Sequence, residues 1–281
     1  MKCRKCAYEN PDDAVVCGLC GELMRTAPTA APLAAAVDVS PRERVGLFQR
    51  PYVCLAIGLA VFPVAKLLWF PNYIFNFLTT LVHECGHAAC AWFVGMPSIP
   101  AVSIAGGGVT TWQEQNWQIA VLVWIGLGAL AWKARRAKAF FIPLVVVAAA
   151  YPAIAFTKAG LALAIFGGIL FEVGGAAACF VACLGAHLER PFERPLYALW
   201  GWWMVLNRIC ESWLILTDAS YRLQHRVIES GLAEGIPSDL TQFTLQLNVS
   251  PRPVLYLILA LCLLALPISI GIVRWMRLRG I

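Results

Sequence analysis

Residue types that bind metal cluster inside an apolar stretch long enough to cross a membrane. Residues 83–87 read His-Glu-Cys-Gly-His, an H-E-x-x-H motif within the apolar run 73–94. On a helix, His83 and His87 are one turn apart and face the same side. Two imidazoles so placed can bind one Zn²⁺, and Glu84 can act as general base on a water beside them. Two histidines and a carboxylate are costly inside a bilayer, which favours this hypothesis over a polar cluster that binds no metal, such as a decayed site.

A catalytic zinc needs a third protein ligand, and two carboxylates in apolar runs are candidates for it. Glu172 lies in a glycine-rich apolar run, and Asp218 ends a later one. In that later run, Asn207, Glu211 and Asp218 share one helical face. Hydrogen bonding between helices would also explain the polar face and Glu172. We rank Asp218 ahead of Glu172 as the third ligand.

A glycine-rich segment follows the H-E-x-x-H run. Residues 105–111 read Ala-Gly-Gly-Gly-Val-Thr-Thr and come after Pro97 and Pro100. Glycine backbone can approach another backbone closely, as an edge strand over the metal would. We therefore expect one of two structures here. The segment is either a strand that clamps an extended substrate by strand addition, or a flexible loop.

Four of the eleven cysteines form a second candidate metal site at the N-terminus. Cys3, Cys6, Cys17 and Cys20 have the spacing C-x2-C-x10-C-x2-C, which presents four thiolates to one tetrahedral Zn²⁺. Residues 1–24 are too few to bury a core, so the metal would supply the folding energy. The segment resembles a zinc ribbon, and a redox dithiol pair is the alternative. The other cysteines are scattered through apolar runs, which argues against a disulfide framework.

The composition is typical of a membrane protein. The chain has 281 residues, of which 60% are hydrophobic and 14% charged, whereas soluble domains average about 25% charged residues. We expect an α-helical polytopic membrane protein in three parts. These are a zinc ribbon at 1–24, an Ala/Pro-rich linker with a basic juxtamembrane segment at 25–50, and a membrane-embedded domain at 51–281. The net charge of +6 lies mostly in short basic clusters beside apolar runs, so a nucleic-acid surface is not needed to explain it.

The apolar runs predict six to seven membrane segments, one of them re-entrant. The runs lie near residues 51–70, 73–94, 117–132, 139–157, 160–187, 196–217 and 254–273. Reduced thiolates place the ribbon in the cytosol, and the basic clusters at 133–138 and 274–279 belong on that same side. Three crossings before residue 133 would place the cluster at 133–138 on the side of the membrane opposite to the ribbon. We therefore expect one early run not to cross, first 117–132 and second 51–70.

These motifs together resemble the site-2 protease family of intramembrane zinc metalloproteases, and in particular its compact bacterial branch. The resemblance lies in the H-E-x-G-H at 83–87 and the Gly-Gly-Gly-Val-Thr at 106–110, and covers roughly residues 73–240. It implies His83 and His87 as ligands and Glu84 as general base. The family's third ligand is an aspartate, usually in a Leu-Asp-Gly motif preceded by Asn-x-x-Pro. This chain has neither motif, and Leu-Thr-Asp-Ala at 216–219, with Asn207 upstream, is the nearest counterpart.

The function that this resemblance implies is an intramembrane zinc metalloendopeptidase acting on membrane-associated proteins or peptides in the lipid bilayer, expected in the bacterial inner membrane. It would bind one catalytic and one structural Zn²⁺, and no nucleic acid. Its cytosolic ribbon would serve regulation or substrate recognition and could bind a protein partner. The alternative is a catalytically inactive, protease-like membrane scaffold whose ribbon binds a partner. A metal transporter is disfavoured, because no second His-rich segment or inverted repeat is evident.

Overall fold

The computed structural model of the chain describes residues 50–104, 107–185, 191–221 and 238–279. Nearer the N-terminus it describes Lys2, Cys3, Lys5, Cys6, Tyr8, Glu9, Cys17, Leu19, Cys20 and Glu22. Of the linker expected at 25–50, only Arg50 belongs to this described part. The chain divides into two compact units, and the larger, Leu47–Val273, contains the H-E-x-x-H motif.

The described residues are mostly helical, with one short β-hairpin. The helices are α1 Pro51–Leu67, α2 Trp69–Phe93, α3 Trp117–Lys133, α4 Lys138–Ala155, α5 Lys158–Leu184, α6 Arg194–Thr217, α7 Asp239–Leu247 and α8 Pro251–Arg279. The strands are β1 Ser98–Val102 and β2 Gly108–Trp112, and short 3-10 turns precede α4 (Ala134–Arg136) and α6 (Pro191–Glu193). Each of the seven apolar runs coincides with a helix, whereas α7 was not expected.

Four helices of the described chain, α3, α4, α5 and α8, are each long and apolar enough to cross a membrane. Helices α1 and α2 satisfy this test only as a pair, and they are bent by 109° with respect to each other. At the bend Leu68 is extended, with φ −84° and ψ 123°. Pro71 follows in the first turn of α2, where its missing N–H is tolerated. Helix α1, from the run at 51–70 that was our second choice, is thus not long and apolar enough to cross alone, whereas α3, from our first choice, is.

Strands β1 and β2 form an antiparallel hairpin between α2 and α3. Both strands lie at an edge, so Pro100, which is paired with Thr110, is compatible with the sheet. The Ser98 hydroxyl donates to the Ala88 carbonyl of α2 at 3.0 Å and attaches the hairpin to the motif helix. Of the two structures expected for the glycine-rich segment, the strand is the one observed from Gly108 onward. Residues 105 and 106 lie outside the described part.

Glycines allow α2 and α5 to cross in direct contact. A Cβ at Gly86 would lie 2.5 Å from the Gly167 carbonyl oxygen, and a Cβ at Gly167 would lie 2.6 Å from the Gly86 oxygen. Any larger residue at either position would push the helices apart. The small residue within the H-E-x-G-H motif therefore brings the histidines of α2 against α5. A buried core contributed by α1, α5, α6 and α8 continues from this crossing, with Cys54, Phe180, Met204 and Cys262 among its members.

Candidate metal centre

The H-E-x-x-H residues lie in the second half of α2 and are buried. His83, Glu84 and His87 are 9%, 6% and 4% exposed, respectively. The one-turn spacing brings the Nε2 atoms of His83 and His87 to 2.9 Å from each other. A Cβ at Gly168 of α5 would lie 2.5 Å from His83 and 2.6 Å from His87, so both rings pack directly on this glycine.

Asp239, the first residue of α7, provides a third donor atom. Its Oδ2 lies 2.7 Å from His83 Nε2 and 3.2 Å from His87 Nε2. In its ionised form this carboxylate only accepts hydrogen bonds, and it is the form in which Asp239 could bind a metal ion.

The start of α7 is fixed both locally and by packing. Ser238 is the N-cap, and its side chain accepts a hydrogen bond from the Thr241 backbone N–H. Phe243 packs on Phe166 of α5, with ring centroids 4.9 Å apart. These contacts place the first turn of α7 beside the two histidines.

The other ring nitrogens, the two Nδ1 atoms, leave both Nε2 atoms free to face Asp239 as acceptors. His87 Nδ1 lies 2.9 Å from the Ala164 carbonyl oxygen, which can only accept, so this nitrogen carries the proton. His83 Nδ1 lies 2.7 Å from the Glu172 carboxylate and donates for the same reason. In the neutral rings both Nε2 lone pairs then point toward each other and toward Asp239. Three acceptors this close repel one another unless a metal ion or a proton lies between them.

The donor set fits a zinc ion. The three donor-to-donor distances are 2.7, 2.9 and 3.2 Å, so one ion can lie about 2.0–2.2 Å from all three atoms. Two imidazoles and one carboxylate are a ligand set of catalytic zinc, and a fourth position stays open for water or substrate. His83, His87 and Asp239 can therefore hold Zn²⁺.

The structure does not bring Asp218, our first choice of third ligand, to these histidines. Asp218 is the C-cap of α6, and its Oδ1 accepts hydrogen bonds from the Ser220 amide at 2.8 Å and hydroxyl at 2.6 Å. Its carboxylate takes part in the turn that ends the helix. Glu172, our second choice, faces His83 through Nδ1, the nitrogen that points away from the donor triangle. It orients a candidate ligand and does not complete the set.

Asp239 was missed because its sequence context is ordinary. It follows a serine N-cap, and an acidic residue in the first turn is what the helix dipole favours at any N-terminus. The run that contains it is short, since α7 has nine residues. No residue around it indicates a metal, and only the packing of α7 against α5 reveals its position.

Strand β2 covers Glu84. The Thr110 hydroxyl lies 2.6 Å from Glu84 Oε2 and 3.0 Å from the Glu84 carbonyl oxygen. A Cβ at Gly108 would lie 2.5 Å from Glu84 Cγ, so the strand approaches this closely only because residue 108 is glycine. The hairpin thus holds the Glu84 carboxylate beside the donor triangle without making it part of the triangle.

Arg208 of α6 lies against Glu172. Its Nε donates to Glu172 Oε2 at 2.6 Å and its Nη2 to Oε1 at 2.5 Å, while Nη1 donates to Glu211 at 2.8 Å. Asn207 accepts from Lys66 of α1 at 2.8 Å. The polar face of α6 therefore makes hydrogen bonds between helices, as one of our two interpretations proposed. Arg208, its central contact, was not singled out from the sequence.

Two cavities meet at this site. A cavity of about 470 Å³ opens onto the donor triangle and Glu84, and its lining includes His83, Glu84, His87, Val109, Thr110 and Asp239. A second cavity of about 540 Å³ lies toward α1, and Lys66, Asn76, Asn207 and Tyr221 are among its residues. His83, Arg208 and Glu211 line both cavities, so the Arg208–Glu211 pair lies between them.

The four N-terminal cysteines form a second cluster that could hold a metal. The Sγ atoms of Cys3, Cys6, Cys17 and Cys20 all lie within 4.8 Å of one another. Cys3 and Cys20 are 3.6 Å apart, as are Cys6 and Cys17. A disulfide would need about 2.05 Å. A tetrahedral zinc with Zn–S bonds of about 2.3 Å separates its sulfurs by about 3.8 Å. The observed spacing fits the zinc site.

The two C-x2-C pairs, Cys3 with Cys6 and Cys17 with Cys20, have equivalent backbone contacts. The Cys3 amide donates to the Tyr8 carbonyl at 2.9 Å and the Cys17 amide to the Glu22 carbonyl at 2.8 Å. Each bond closes a turn around one C-x2-C pair. Hydrogen bonds with the backbone of Lys5 and Cys6 lower the pKa of the Cys3 thiol, whereas the pKa values of the Cys6 and Cys20 thiols are raised.

No family model, curated protein or solved structure matches this chain. The resemblance to the site-2 protease family therefore depends on its two sequence motifs, and any functional conclusion depends on the geometry of the donor triangle and Glu84.

Proposed function

We propose that this chain is an intramembrane zinc metalloendopeptidase that cleaves membrane-associated protein substrates. The observation that carries the proposal is the convergence of His83, His87 and Asp239 on one point, with Glu84 beside them in the same cavity. A purely structural cluster would not need three mutually facing acceptors, and a simple metal store would not need a second acid beside the three donors. A hydrolytic site needs both.

The residues divide the chemistry between them. Zn²⁺ held by His83, His87 and Asp239 would supply Lewis-acid chemistry and lower the pKa of a water from about 16 toward 7. Glu84 is the general base, because its carboxylate lies on the cavity wall and is not one of the three donors. It takes a proton from the attacking water and delivers it to the leaving amide nitrogen. Thr110 holds that carboxylate in place.

The hairpin suggests how a peptide would lie. Gly108, Val109, Thr110 and Trp112 of β2 line the cavity, while the other edge of β2 pairs with β1. An extended peptide that adds to β2 would run past Glu84 and the donor triangle. A helical substrate segment would have to unwind first, because its amides are already hydrogen-bonded.

The four-cysteine module is proposed to bind one structural Zn²⁺ as a cytosolic ribbon for regulation or substrate recognition. Reduced thiolates persist in the cytosol, which supports that side of the membrane. The apolar helices support a membrane location, and the likeness to the compact bacterial branch favours a bacterial inner membrane.

Metal analysis of the purified full chain, combined with cleavage assays on a panel of single-span membrane proteins, tests this function. We expect two zinc ions per chain. Changing Cys3 and Cys6 together to Ser should remove one, and His83→Ala should remove the other. Wild type should cleave at least one panel member and His83→Ala none. A single zinc that survives His83→Ala would contradict the proposal.

A further inference from the structure

We infer that Arg208 is a positioning residue for the metal centre: through Glu172 it fixes the orientation of the His83 ring. The inference rests on the proposed metal site and adds to it a residue that is not one of the three donors. Arg208 Nη2 also lies 3.3 Å from His83 Nδ1, but its two shorter bonds are to Glu172. Arg208 belongs to α6 and Glu172 to α5, so neither residue lies on the H-E-x-x-H helix. Their side chains are 21% and 3% exposed, respectively.

The two histidines depend on different kinds of partner. His87 Nδ1 donates to the Ala164 carbonyl, which the backbone of α5 holds in place. His83 Nδ1 faces the carboxylate of Glu172, whose side chain has three rotatable bonds. A carboxylate can keep one orientation only if its oxygens are held. The geometry of His83 therefore depends on whatever holds Glu172.

Arg208 holds Glu172 at two points. Its Nε and Nη2 donate to the two different carboxylate oxygens of Glu172, a planar fork-to-fork contact. Arginine offers donors only, so both oxygens of Glu172 act as acceptors. The hydrogen of the His83–Glu172 bond must then belong to His83 Nδ1. This leaves the Nε2 lone pair of His83 for the metal.

The charge of Arg208 also matches its surroundings. Glu172 is buried among apolar residues of α5, where an anion is costly without a cation beside it. The third nitrogen of Arg208, Nη1, donates to Glu211, so each nitrogen of the guanidinium has a carboxylate partner. Lysine could supply the charge but not the fork. The contact therefore requires both the positive charge of arginine and the two donors of its guanidinium.

The experiment compares zinc affinity and the visible spectrum of the Co²⁺-substituted membrane site in wild type, Arg208→Ala and Arg208→Lys, all in the full chain. Outer-shell partners of metal ligands typically contribute about 10–100-fold in affinity. We expect a loss in that range for Arg208→Ala, a smaller loss for Arg208→Lys, and an altered Co²⁺ spectrum in both. Added guanidinium should restore part of the Arg208→Ala loss, because two cavities adjoin this position.

Lys66→Met is the matched control. Lys66 lines the second cavity as Arg208 does, but it bonds Asn207 and lies 5.1 Å from the Trp203 ring. Its removal should leave the zinc affinity and the Co²⁺ spectrum unchanged. A Lys66→Met effect as large as that of Arg208→Ala would mean that the loss of any positive charge in this region weakens the site, and would overturn the inference.

A double-mutant cycle with Glu172→Gln tests the route. If Arg208 acts through Glu172, the double variant should bind zinc no more weakly than the worse single variant. Additive losses would overturn the route, and wild-type affinity and spectrum in Arg208→Ala would overturn the role itself. These readouts need no cleavage. A wild type that binds zinc as expected but cleaves nothing would refute the proposed activity and leave this inference standing, whereas a wild type with no metal at the site would refute both.

Discussion

At the residue scale, the three candidate ligands are held by three different devices. A backbone carbonyl orients His87, and a charged side-chain pair orients His83. Asp239 is positioned by the start of its own short helix. Because the partners that orient the two histidines do not involve Asp239, removal of Asp239 should take away one donor and leave the histidines in place.

The first prediction separates the observed third donor from the one expected from the sequence. Asp239→Ala should lose the membrane-site zinc, because two imidazoles alone fall short of the three protein ligands of catalytic sites. The affinity loss should exceed the roughly 10–100-fold typical of an outer-shell partner. Asp218→Ala, the matched control, should keep both zinc ions. The zinc content of each variant is measured after dialysis. Loss of zinc in Asp218→Ala but not in Asp239→Ala would show that α7 does not contribute a ligand.

Sequence reasoning works for ligands within one helix and fails for ligands between helices. The spacing of His83 and His87 fixes their common face, because helix geometry leaves no other arrangement. Asp239 is 152 residues beyond His87, and its position depends on how α7 packs. Arg208 was hidden for a similar reason: beside Glu211 on one helix it resembles a local ion pair, and its bond to Glu172 depends on the α5–α6 contact.

At the element scale, the glycines of α5 and the strand β2 determine the space around the site. Gly168 touches both imidazoles, and Gly108 touches Glu84. The sequence indicated that glycine here permits close approach, but it could not decide between a strand and a loop. That choice depends on β1, whose five residues pair with β2 and include a proline that weakens any strand prediction.

Gly168→Ala should disrupt the metal centre. Its Cβ would lie 2.6 Å from both His83 Nε2 and His87 Nε2, which is too close for a carbon atom, so the two rings would have to move. We expect loss of the membrane-site zinc. Gly174→Ala in the same helix is the control, since nothing lies within 4 Å of its Cβ, and there alanine should be neutral or stabilise by up to about 1 kcal/mol. Zinc content and thermal unfolding measure both variants, and full zinc occupancy in Gly168→Ala would refute the packing described here.

Thr110→Val tests whether β2 positions the general base. A hydrogen bond to a charged group contributes about 1.5–3 kcal/mol, so cleavage should fall between about tenfold and 100-fold. Zinc content should stay the same, because Glu84 is not a donor of the triangle. Thr111→Val, on the exposed neighbouring position of the strand, should cleave at the wild-type rate. Equal effects of the two substitutions would indicate a general loss of the hairpin instead.

At the scale of the whole molecule, hydropathy predicted the helical class and the positions of the helices. It did not predict the bend between α1 and α2. The rule that basic clusters face one side required one early run not to cross by itself. Our first choice for that run, 117–132, forms α3, which is apolar enough to span, whereas our second choice, 51–70, forms one half of the bent pair. The bend lies where an extended Leu68 precedes Pro71.

This bend leads to a topology prediction. If α1 and α2 together cross the membrane once and α3 crosses back, Arg50 and the basic turn Ala134–Arg136 lie on the same side. Reporter fusions before residue 50 and after residue 136 should therefore give the same signal. A fusion placed between β1 and β2 serves as the opposite-side control. Different signals at 50 and 136 would mean that α1 and α2 do not form one broken span.

The most direct test of the central claim is the cleavage rate of Glu84→Gln, measured with the zinc content of the same sample. If Glu84 is the general base, the rate should fall by about 100- to 10,000-fold while two zinc ions remain bound. Glu114→Gln, which changes an exposed glutamate outside the site, should behave as wild type. Cleavage within a few-fold of wild type in Glu84→Gln, or cleavage lost together with the membrane-site zinc, would contradict a non-ligand general base at this position.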